Sequence, residues 1–289
     1  MGQMNRDIPF VRYLHDDSRR AEVPMHRHRN GQLGFISSGT VRLISPHAAW
    51  MVPWKRIIWI PPDKPHSVQS ENLSGGWKIM IPRTFRKHLP AQISVLKASN
   101  FLIAALEQLP TSRKAVSPAR LRLLRQVILQ ELMTAECESF GVTLPRDPRL
   151  AGLIGVLLKN PEDPRHIDDW AASIGMSRRT FTRFFTVQTG SSFGVWKRNL
   201  LLGKSLGLLT QGLNISQVAD QLGYANPSAF IMAFRKQYGS SPRRFMRELP
   251  QKDHRSLIDL GVGITQRVGQ EPMPDTESVW PRTDKRLPA

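Results

Sequence analysis

An imperfect repeat in the C-terminal half constrains the fold of this chain more than any other sequence feature. The segment from Ile167 to Phe193 recurs from Ile215 to Pro242. Repetition on this scale indicates two copies of one supersecondary unit, which largely sets the architecture. In both copies, apolar residues at helical spacing stop at a glycine and resume after a short polar turn. We therefore predict two helix-turn-helix units in tandem.

The first copy has the parts that such a unit needs. Gly175 suits the left-handed end of the first helix, and Ser177 suits the cap of the second. Phe181 and Phe185, four residues apart, fall on one face and are expected in the core. The opposite face is polar and basic, as expected for a helix that enters a major groove. Its residues are Arg178, Arg179, Thr182, Arg183 and Thr186.

A helix over about residues 192–209 should join the two units. It would span about 27 Å at 1.5 Å per residue. Such a spacer would place the two recognition helices in successive major-groove segments, about 34 Å apart. One chain could then bind a DNA site without dimerising.

The overall composition favours a polyanionic partner. The formal net charge of the 289 residues is +18, although basic residues are spread along the chain and also fit an ordinary soluble surface. A single cysteine excludes an internal disulfide and favours a cytoplasmic location. No apolar run reaches the roughly 20 residues that cross a bilayer, so we expect no membrane partner.

The N-terminal half follows a different pattern. Short apolar runs separated by turn residues predict a small antiparallel β-barrel, and helical spacing begins after Pro82. The predicted fold class is therefore α+β, with a cupin-like barrel, a helical linker and an all-α double helix-turn-helix. We expect a sensor domain over residues 1–98 and a helical linker, suited to dimerisation, over 99–147. The DNA-binding domain should cover 148–250, and a disordered tail 251–289.

The helical half resembles the DNA-binding domain of the AraC/XylS family of bacterial regulators. The resemblance covers about residues 150–248, with both units in order. The first motif is Ile167-x3-Ala171-x3-Gly175-Met176-Ser177-Arg178-Arg179-x-Phe181-x-Arg183-x-Phe185-x4-Gly190. The second is Ile215-x2-Val218-Ala219-x2-Leu222-Gly223-Tyr224, followed by Ser228-x-Phe230-x3-Phe234-x4-Gly239-Ser240-Ser241-Pro242-x2-Phe245.

The resemblance implies specific DNA contacts. Base contacts map to Arg179, Thr182 and Arg183, because arginine can pair bidentately with guanine. The second recognition helix departs from the family, since Ile231 and Met232 stand where polar residues are common. We expect this unit to contribute thymine-methyl or shape contacts and phosphate anchors. Its candidate contacts are Asn226, Ser228, Ile231, Met232, Arg235, Lys236 and Arg243.

Two positions of the connecting helix also depart from the family. Leu201 and Ser205 replace its usual arginine and alanine. The resemblance therefore assigns no phosphate contact or packing role to these two positions.

A histidine cluster is the main chemical feature of the N-terminal half. His26, His28 and Gln32 precede His66, a spacing that resembles the two cupin motifs. Gln32 stands in place of the metal-binding glutamate, Asp63 in place of a glycine, and Ser70 in place of an asparagine. Our first interpretation is a metal-free polar lining of an effector pocket, with Phe35 and Trp59 in its walls. A bound divalent transition metal and ordinary structural histidines are the alternatives.

These patterns predict a cytoplasmic, sequence-specific transcription regulator that responds to a small-molecule effector, and not an enzyme. The N-terminal half most resembles regulators of nitroimidazole or efflux type, which favours control of an adjacent transporter gene. Promoter DNA is the expected partner, and RNA polymerase and a second copy of the chain remain open. The alternatives are a metal-dependent cupin enzyme with an accessory DNA-binding domain and a nonspecific architectural DNA binder.

Overall fold

The computed structural model describes residues 12–14, 22–37, 39–71, 76–110 and 117–247. The tail over 251–289, for which we predict disorder, lies outside these residues. The strands are β1 (Arg12–Leu14), β2 (Glu22–His26), β3 (Gly31–Ile36), β4 (Thr40–Ile44), β5 (Ala48–Pro53), β6 (Arg56–Ile60), β7 (His66–Glu71), β8 (Gly76–Ile81), β9 (Ser94–Lys97), β10 (Cys137–Glu138) and β11 (Gly141–Thr143).

The helices follow the barrel in the order that the sequence predicts. A short 3₁₀ helix at Arg83–His88 precedes them. They are α1 (Asn100–Glu107), α2 (Pro118–Thr134), α3 (Pro148–Lys159), α4 (Ile167–Ala172), α5 (Arg178–Thr189), α6 (Phe193–Thr210), α7 (Ile215–Gln221), α8 (Pro227–Tyr238) and α9 (Pro242–Arg247).

Two antiparallel sheets form the N-terminal half. The strand order is β1-β8-β3-β6-β9-β10 in the first sheet and β11-β5-β4-β7-β2 in the second. Ile58 and Ile60 of the first sheet share a buried cluster with Val41, Leu43 and Val52 of the second, so the two sheets face each other across an apolar core. This arrangement confirms the predicted α+β class with an antiparallel barrel-like domain.

Helices α1 and α2 cover the outer face of the first sheet. Leu106 of α1 and Ile128 of α2 are fully buried and share a cluster with Leu33 and Ile79 of the sheet. Strand residues alternate between the two faces. The first sheet is therefore apolar on both sides, unlike a sheet with one face in water.

The segment between the two halves is not wholly helical, which corrects the predicted 99–147 helical linker. β10 pairs with β9 and β11 pairs with β5, so both short strands extend the sheets. A Cβ atom on Gly141 would lie 2.6 Å from Trp50 Cδ1, so glycine allows β11 to approach β5. Strands of two or three residues are too short to show a period, which is why the sequence pattern does not reveal them.

The helical half contains the two predicted helix-turn-helix units, α4–α5 and α7–α8, joined by α6. Ser177 and Asn226 cap the two recognition helices, with side-chain oxygens that accept from the N–H groups of Thr180 and Ala229. Gly190 ends α5 with a φ of 75°, in the region that glycine adopts without strain. Local sequence signals thus define both units.

The barrel packs on the helices that flank and join the two helix-turn-helix units. On the side of the first unit, Arg42 of β4 donates to Leu158 O, and Trp196 of α6 donates to Thr143 O at 2.7 Å. At the second unit, the rings of Trp54 and Phe245 are 5.4 Å apart. An ordinary tether would allow the domains to move freely, whereas this packing fixes the helical half against the second sheet.

Candidate DNA interface and effector site

The predicted DNA face of α5 is exposed in the structure. Phe181 and Phe185 are fully buried, which turns the opposite side of the helix outward. That side forms an open surface, which we call the α5 surface. It is lined by Arg178, Arg179, Thr182, Arg183, Thr186 and Val187.

The side chains of the α5 surface differ in their local partners. Arg178 forms an ion pair with Asp168 of α4 at 3.1 Å, so part of its charge is used within the unit. Thr182 and Thr186 donate to helix carbonyls four residues back. Among the described residues, Arg179 and Arg183 have neither an ion pair nor a side-chain hydrogen bond. These two guanidinium groups are therefore the ones available to a ligand.

One member of the α5 surface was missed by the sequence analysis. Val187 is 75% exposed and lies four residues after Arg183, on the same face. The available sequence signal was a valine four residues after Arg183, on the polar face of the helix. A methyl-bearing side chain beside two arginines suits contact with a thymine methyl.

The second recognition helix has a different surface. Met232 is 70% exposed and Ile231 is half-buried, so this face is apolar where the α5 surface is basic. Ser228 is exposed at the start of the helix. The side chain of Asn226 accepts from Ala229 N at 2.9 Å, so its oxygen serves as a cap.

Cations surround this apolar face. Arg235 and Lys236 lie in the last turn of α8, and Arg243 lies on α9; all three are exposed. Arg244, also exposed on α9, was not among the predicted contacts. Flexible cations at a helix end suit phosphate contacts, which position a protein on DNA without reading its sequence.

The structure shows the role of the two α6 residues that depart from the family pattern, Leu201 and Ser205. Ser205 is fully buried and its hydroxyl donates to Leu202 O at 2.6 Å. Leu201 is half-buried against the cluster shared with the barrel. Both positions therefore serve packing.

The three predicted histidines converge between the sheets. His26 ends β2, His28 follows it in a turn, and His66 begins β7 opposite His26. The ring centroids of His26 and His66 are 4.3 Å apart, and those of His28 and His66 are 5.0 Å apart. One ring nitrogen from each residue lies within 4.8 Å of the others.

Backbone carbonyls fix the orientation and tautomer of each ring. The Nδ1 atoms of His26 and His66 each lie 2.9 Å from a carbonyl oxygen, of Pro24 and Lys64 respectively. His28 Nδ1 lies 2.5 Å from Asn30 O. A carbonyl can only accept, so each Nδ1 carries the proton and each neutral ring presents an Nε2 lone pair.

Burial keeps two of these rings neutral. It lowers the pKa of His66 to about 4, against the effect of the Lys64 carbonyl, and it also lowers the pKa of His28. The Nε2 atoms of both residues are buried and have no hydrogen-bond partner among the described residues. At neutral pH His28 and His66 are therefore lone-pair donors without charge.

Asp63 stabilises the turn that carries His66. Its φ is 60°, in the left-handed region that favours glycine, so aspartate occupies a position where the cupin motif has glycine. Asp63 N donates to His28 O at 2.9 Å, and its carboxylate pairs with Arg83 at 2.9 Å. This residue thus ties the turn before β7 to the turn after β2.

Gln32 lies on the inner face of the first sheet. Phe35 and Trp59, the two aromatic residues predicted to line the histidine pocket, do not. Gln32 pairs with Ile60, which belongs to the core between the sheets. Phe35 and Trp59 instead lie in the outer cluster beneath α1 and α2. The prediction that they line the histidine pocket is wrong, because residues at odd spacing from Gln32 fall on the opposite face of β3.

The fold and both candidate sites define a DNA-binding protein with a barrel sensor domain and a tandem helix-turn-helix domain. The description "AraC-like ligand binding domain" matches residues 9–154, and "Helix-turn-helix domain" matches residues 170–248. The chain belongs to the AraC family of transcriptional regulators. It is an effector-responsive, DNA-binding regulator of the kind that the sequence predicts.

Individual proteins and solved structures are also similar to this chain. The HTH-type transcriptional regulator NimR of Escherichia coli K12 is 30% identical over 240 residues, which cover 82% of this chain and 86% of NimR. Among solved structures, ToxT from Vibrio cholerae is 14% identical, with a TM-score of 0.36 over 84% of this chain and all of the ToxT chain. The DNA-binding domain of AdpA, solved with a target DNA, is 31% identical over 35% of this chain and 92% of that chain, with a TM-score of 0.33.

The described helices were also compared with the dimensions of a bilayer. None of them combines the length and the apolar character that a transmembrane helix needs.

Proposed function

We propose that this regulator recognises promoter DNA mainly through the α5 surface, with Arg179 and Arg183 at base edges. The observation that carries the proposal is that these two exposed arginines have no partner among the described residues, whereas Arg178 is paired with Asp168. An unpaired guanidinium keeps both of its parallel N–H groups for a guanine, and no internal ion pair has to be broken on binding.

The second unit supports binding by a different chemistry. Met232 and Ile231 present an apolar face to a groove, while Arg235, Lys236 and Arg243 surround it with charge. Apolar side chains distinguish bases only through thymine methyls and groove shape. The second unit therefore contributes affinity and register, and the first contributes most of the sequence preference.

The barrel is placed to adjust DNA binding because it contacts α3, α6 and α9, which pack against the two units. An effector changes an equilibrium only through different affinities for two arrangements. Strand β4 connects the core between the sheets with the helical half. Its Val41 and Leu43 face that core, while Arg42 donates to Leu158 O of α3. A ligand between the sheets would shift β4 and, through it, the position of the first unit.

The cellular setting follows from the same function. We place the protein in the cytoplasm, acting at promoter DNA in response to a small effector. An adjacent transporter gene is the proposed target, RNA polymerase a proposed partner, and α2 the proposed contact for a homodimer. Leu123 and Val127, exposed on α2, give that helix an apolar stripe at four-residue spacing.

A footprint tests sequence-specific binding. The full chain would be titrated onto the DNA upstream of its own gene and of the neighbouring gene, at about 0.15 M salt, with unrelated duplexes of equal length as controls. We expect a protected segment that covers two successive major grooves on one face. Equal affinity for every duplex would instead identify an architectural DNA binder.

Replacing Arg183 with alanine is expected to cost roughly 1–3 kcal/mol of binding free energy and to relax the preference at one base position. The loss arises because the guanidinium no longer pairs with one guanine. Affinities would be measured on a set of duplexes that each carry one base change. Met232→Ala is the matched comparison on the other recognition helix and should alter sequence preference much less.

Two outcomes would contradict this division of roles. Uniform weakening of Arg183→Ala on all duplexes would show that Arg183 contacts only the DNA backbone. A larger change in sequence preference for Met232→Ala than for Arg183→Ala would transfer base recognition to the second unit.

A further inference from the structure

We propose that His26, His28 and His66 bind a divalent transition-metal ion through their Nε2 atoms, and that this ion is an effector of the regulator. The regulatory part rests on the proposed function, while the metal site stands on its own geometry. Our first interpretation, a metal-free lining, does not account for the arrangement of the ring nitrogens.

The first argument is the direction of the three rings. Each Nδ1–H is held by a backbone carbonyl, so all three lone pairs are on Nε2. Histidine ligands of metal ions characteristically donate their other nitrogen to a carbonyl or a carboxylate, which fixes the ring and raises its basicity. Three rings with this partner are already oriented as ligands.

The second argument is the cost of the cluster without a ligand. His66 is fully buried, and the Nε2 atoms of His28 and His66 lack hydrogen-bond partners among the described residues. A buried polar atom without a partner destabilises the folded state. An ion shared by the three nitrogens would satisfy both buried acceptors at once.

The distances fit an ion after a small adjustment. Zn–N bonds of about 2.1 Å at tetrahedral angles place two ligand nitrogens about 3.4 Å apart. In the present structure one ring nitrogen of each histidine lies within 4.8 Å of the others. Small shifts of the two histidine-bearing turns can close this gap while each Nδ1–H stays on its carbonyl, whereas a cluster on separate mobile loops would have to order first. Asp63, which links the two histidine-bearing turns, limits that cost.

The three imidazole ligands determine which class of metal ion the site would bind. Three neutral imidazoles suit Zn²⁺, Co²⁺, Ni²⁺ or Fe²⁺, whereas Mg²⁺ and Ca²⁺ require oxygen ligands. Gln32, on the inner face of the neighbouring sheet, replaces a carboxylate by an uncharged amide. The bound ion would therefore keep its full double charge and at least one open coordination position.

The charge of Lys78 affects which ligand the open coordination position would favour. Lys78 is half-buried on β8 and pairs with Gly34, which places it on the same face of the first sheet as Gln32. The ammonium opposes a nearby dication, but an anion at the open position would interact favourably with both. We therefore expect ion binding to strengthen when a small carboxylate or phosphate is present.

The site is connected to the DNA-binding half through two adjacent strands. His66 begins β7, and β7 pairs along its length with β4. Arg42 of β4 then donates to Leu158 O of α3. An ion that draws β2 and β7 together would act on β4, which is the same route proposed above for an effector.

The test uses tag-free full-length protein and Co²⁺ as the spectroscopic probe. Co²⁺ bound by three imidazoles gives visible absorption bands that free aqueous Co²⁺ lacks at this intensity, and competition with Zn²⁺ gives the relative affinity. We expect one ion per chain. His66→Gln should weaken binding by more than about 100-fold because a ligand is removed.

Two controls separate ligand loss from misfolding. His47→Gln removes an exposed histidine outside the cluster and should bind Co²⁺ like the unchanged protein. His26→Gln alters the least buried member and leaves the buried His66 in place, so a folded but binding-deficient protein is expected. Circular dichroism would establish folding for each variant.

The possible outcomes test separately whether the metal site exists and whether the bound ion is an effector. Absence of saturable Co²⁺ or Zn²⁺ binding, or equal binding by His66→Gln and His47→Gln, overturns the metal site. A stoichiometric site whose loading leaves the promoter footprint and its affinity unchanged overturns the effector role alone. Absence of any specific footprint, with or without ion, counts against the proposed function and leaves the spectroscopic result unaffected.

Discussion

Replacing Gly31 with alanine is expected to lower the free energy of unfolding by about 3 kcal/mol, the upper end of the usual cost of overpacking. A Cβ atom at this position would lie 2.1 Å from Trp59 Cη2 and 2.5 Å from Cζ3. Trp59 is almost completely buried and donates to Pro90 O at 2.8 Å, so it cannot move aside without losing that bond. Chemical denaturation of the full chain measures the effect.

Gly34→Ala on the same strand is the matched control. A Cβ atom at Gly34 would lie 3.9 Å from the nearest atom, Ile58 Cβ, which is ordinary contact. Its unfolding free energy should change by less than about 1 kcal/mol. If the two variants were equally stable, the tryptophan would not be fixed over Gly31 and the packing beneath α1 and α2 would be looser than described.

Replacing Phe234 with alanine is expected to cost about 3–5 kcal/mol. Phe234 is fully buried, and its ring contacts those of Phe230, Tyr238 and Phe245. Phe245 in turn packs on Trp54 of the barrel. Because the cluster spans both halves, we expect the barrel and the second helix-turn-helix unit to lose stability together.

Thermal unfolding followed by tryptophan fluorescence would record this loss, since Trp54 reports from the barrel side of the cluster. Met232→Ala, on the same helix but exposed, should change stability by no more than about 0.5 kcal/mol. A Phe234→Ala protein whose barrel unfolds as before would show that the two halves are energetically independent, despite their contact.

The tandem helix-turn-helix units were predictable because every signal that defines them is local. A glycine ends each first helix, a capping residue begins each recognition helix, and two phenylalanines four residues apart mark each core. The 3.6-residue period then places Arg179 and Arg183 on the opposite side without knowledge of the rest of the chain. The exposure of the α5 surface agrees with that argument.

The effector domain was predictable in class but not in detail. Turn-separated apolar runs indicate an antiparallel barrel, yet both faces of β3 are apolar except at Gln32 and the glycines. The alternation of apolar and polar residues therefore did not determine which face of β3 packs against the second sheet. Phe35 and Trp59 were assigned to the wrong side for this reason, and β10 and β11 were too short to detect.

The amino-acid sequence by itself determined the elements of the DNA-binding half and the family, because these depend on local spacing, and it indicated the three histidines through their resemblance to two cupin motifs. Tertiary structure decided which face of each sheet is buried, that β4 links the inter-sheet core to α3, and that three imidazole rings, each held by a backbone carbonyl, lie together. Those properties depend on residues far apart in the chain. Their proximity is set by strand register and long-range packing, which no local period encodes.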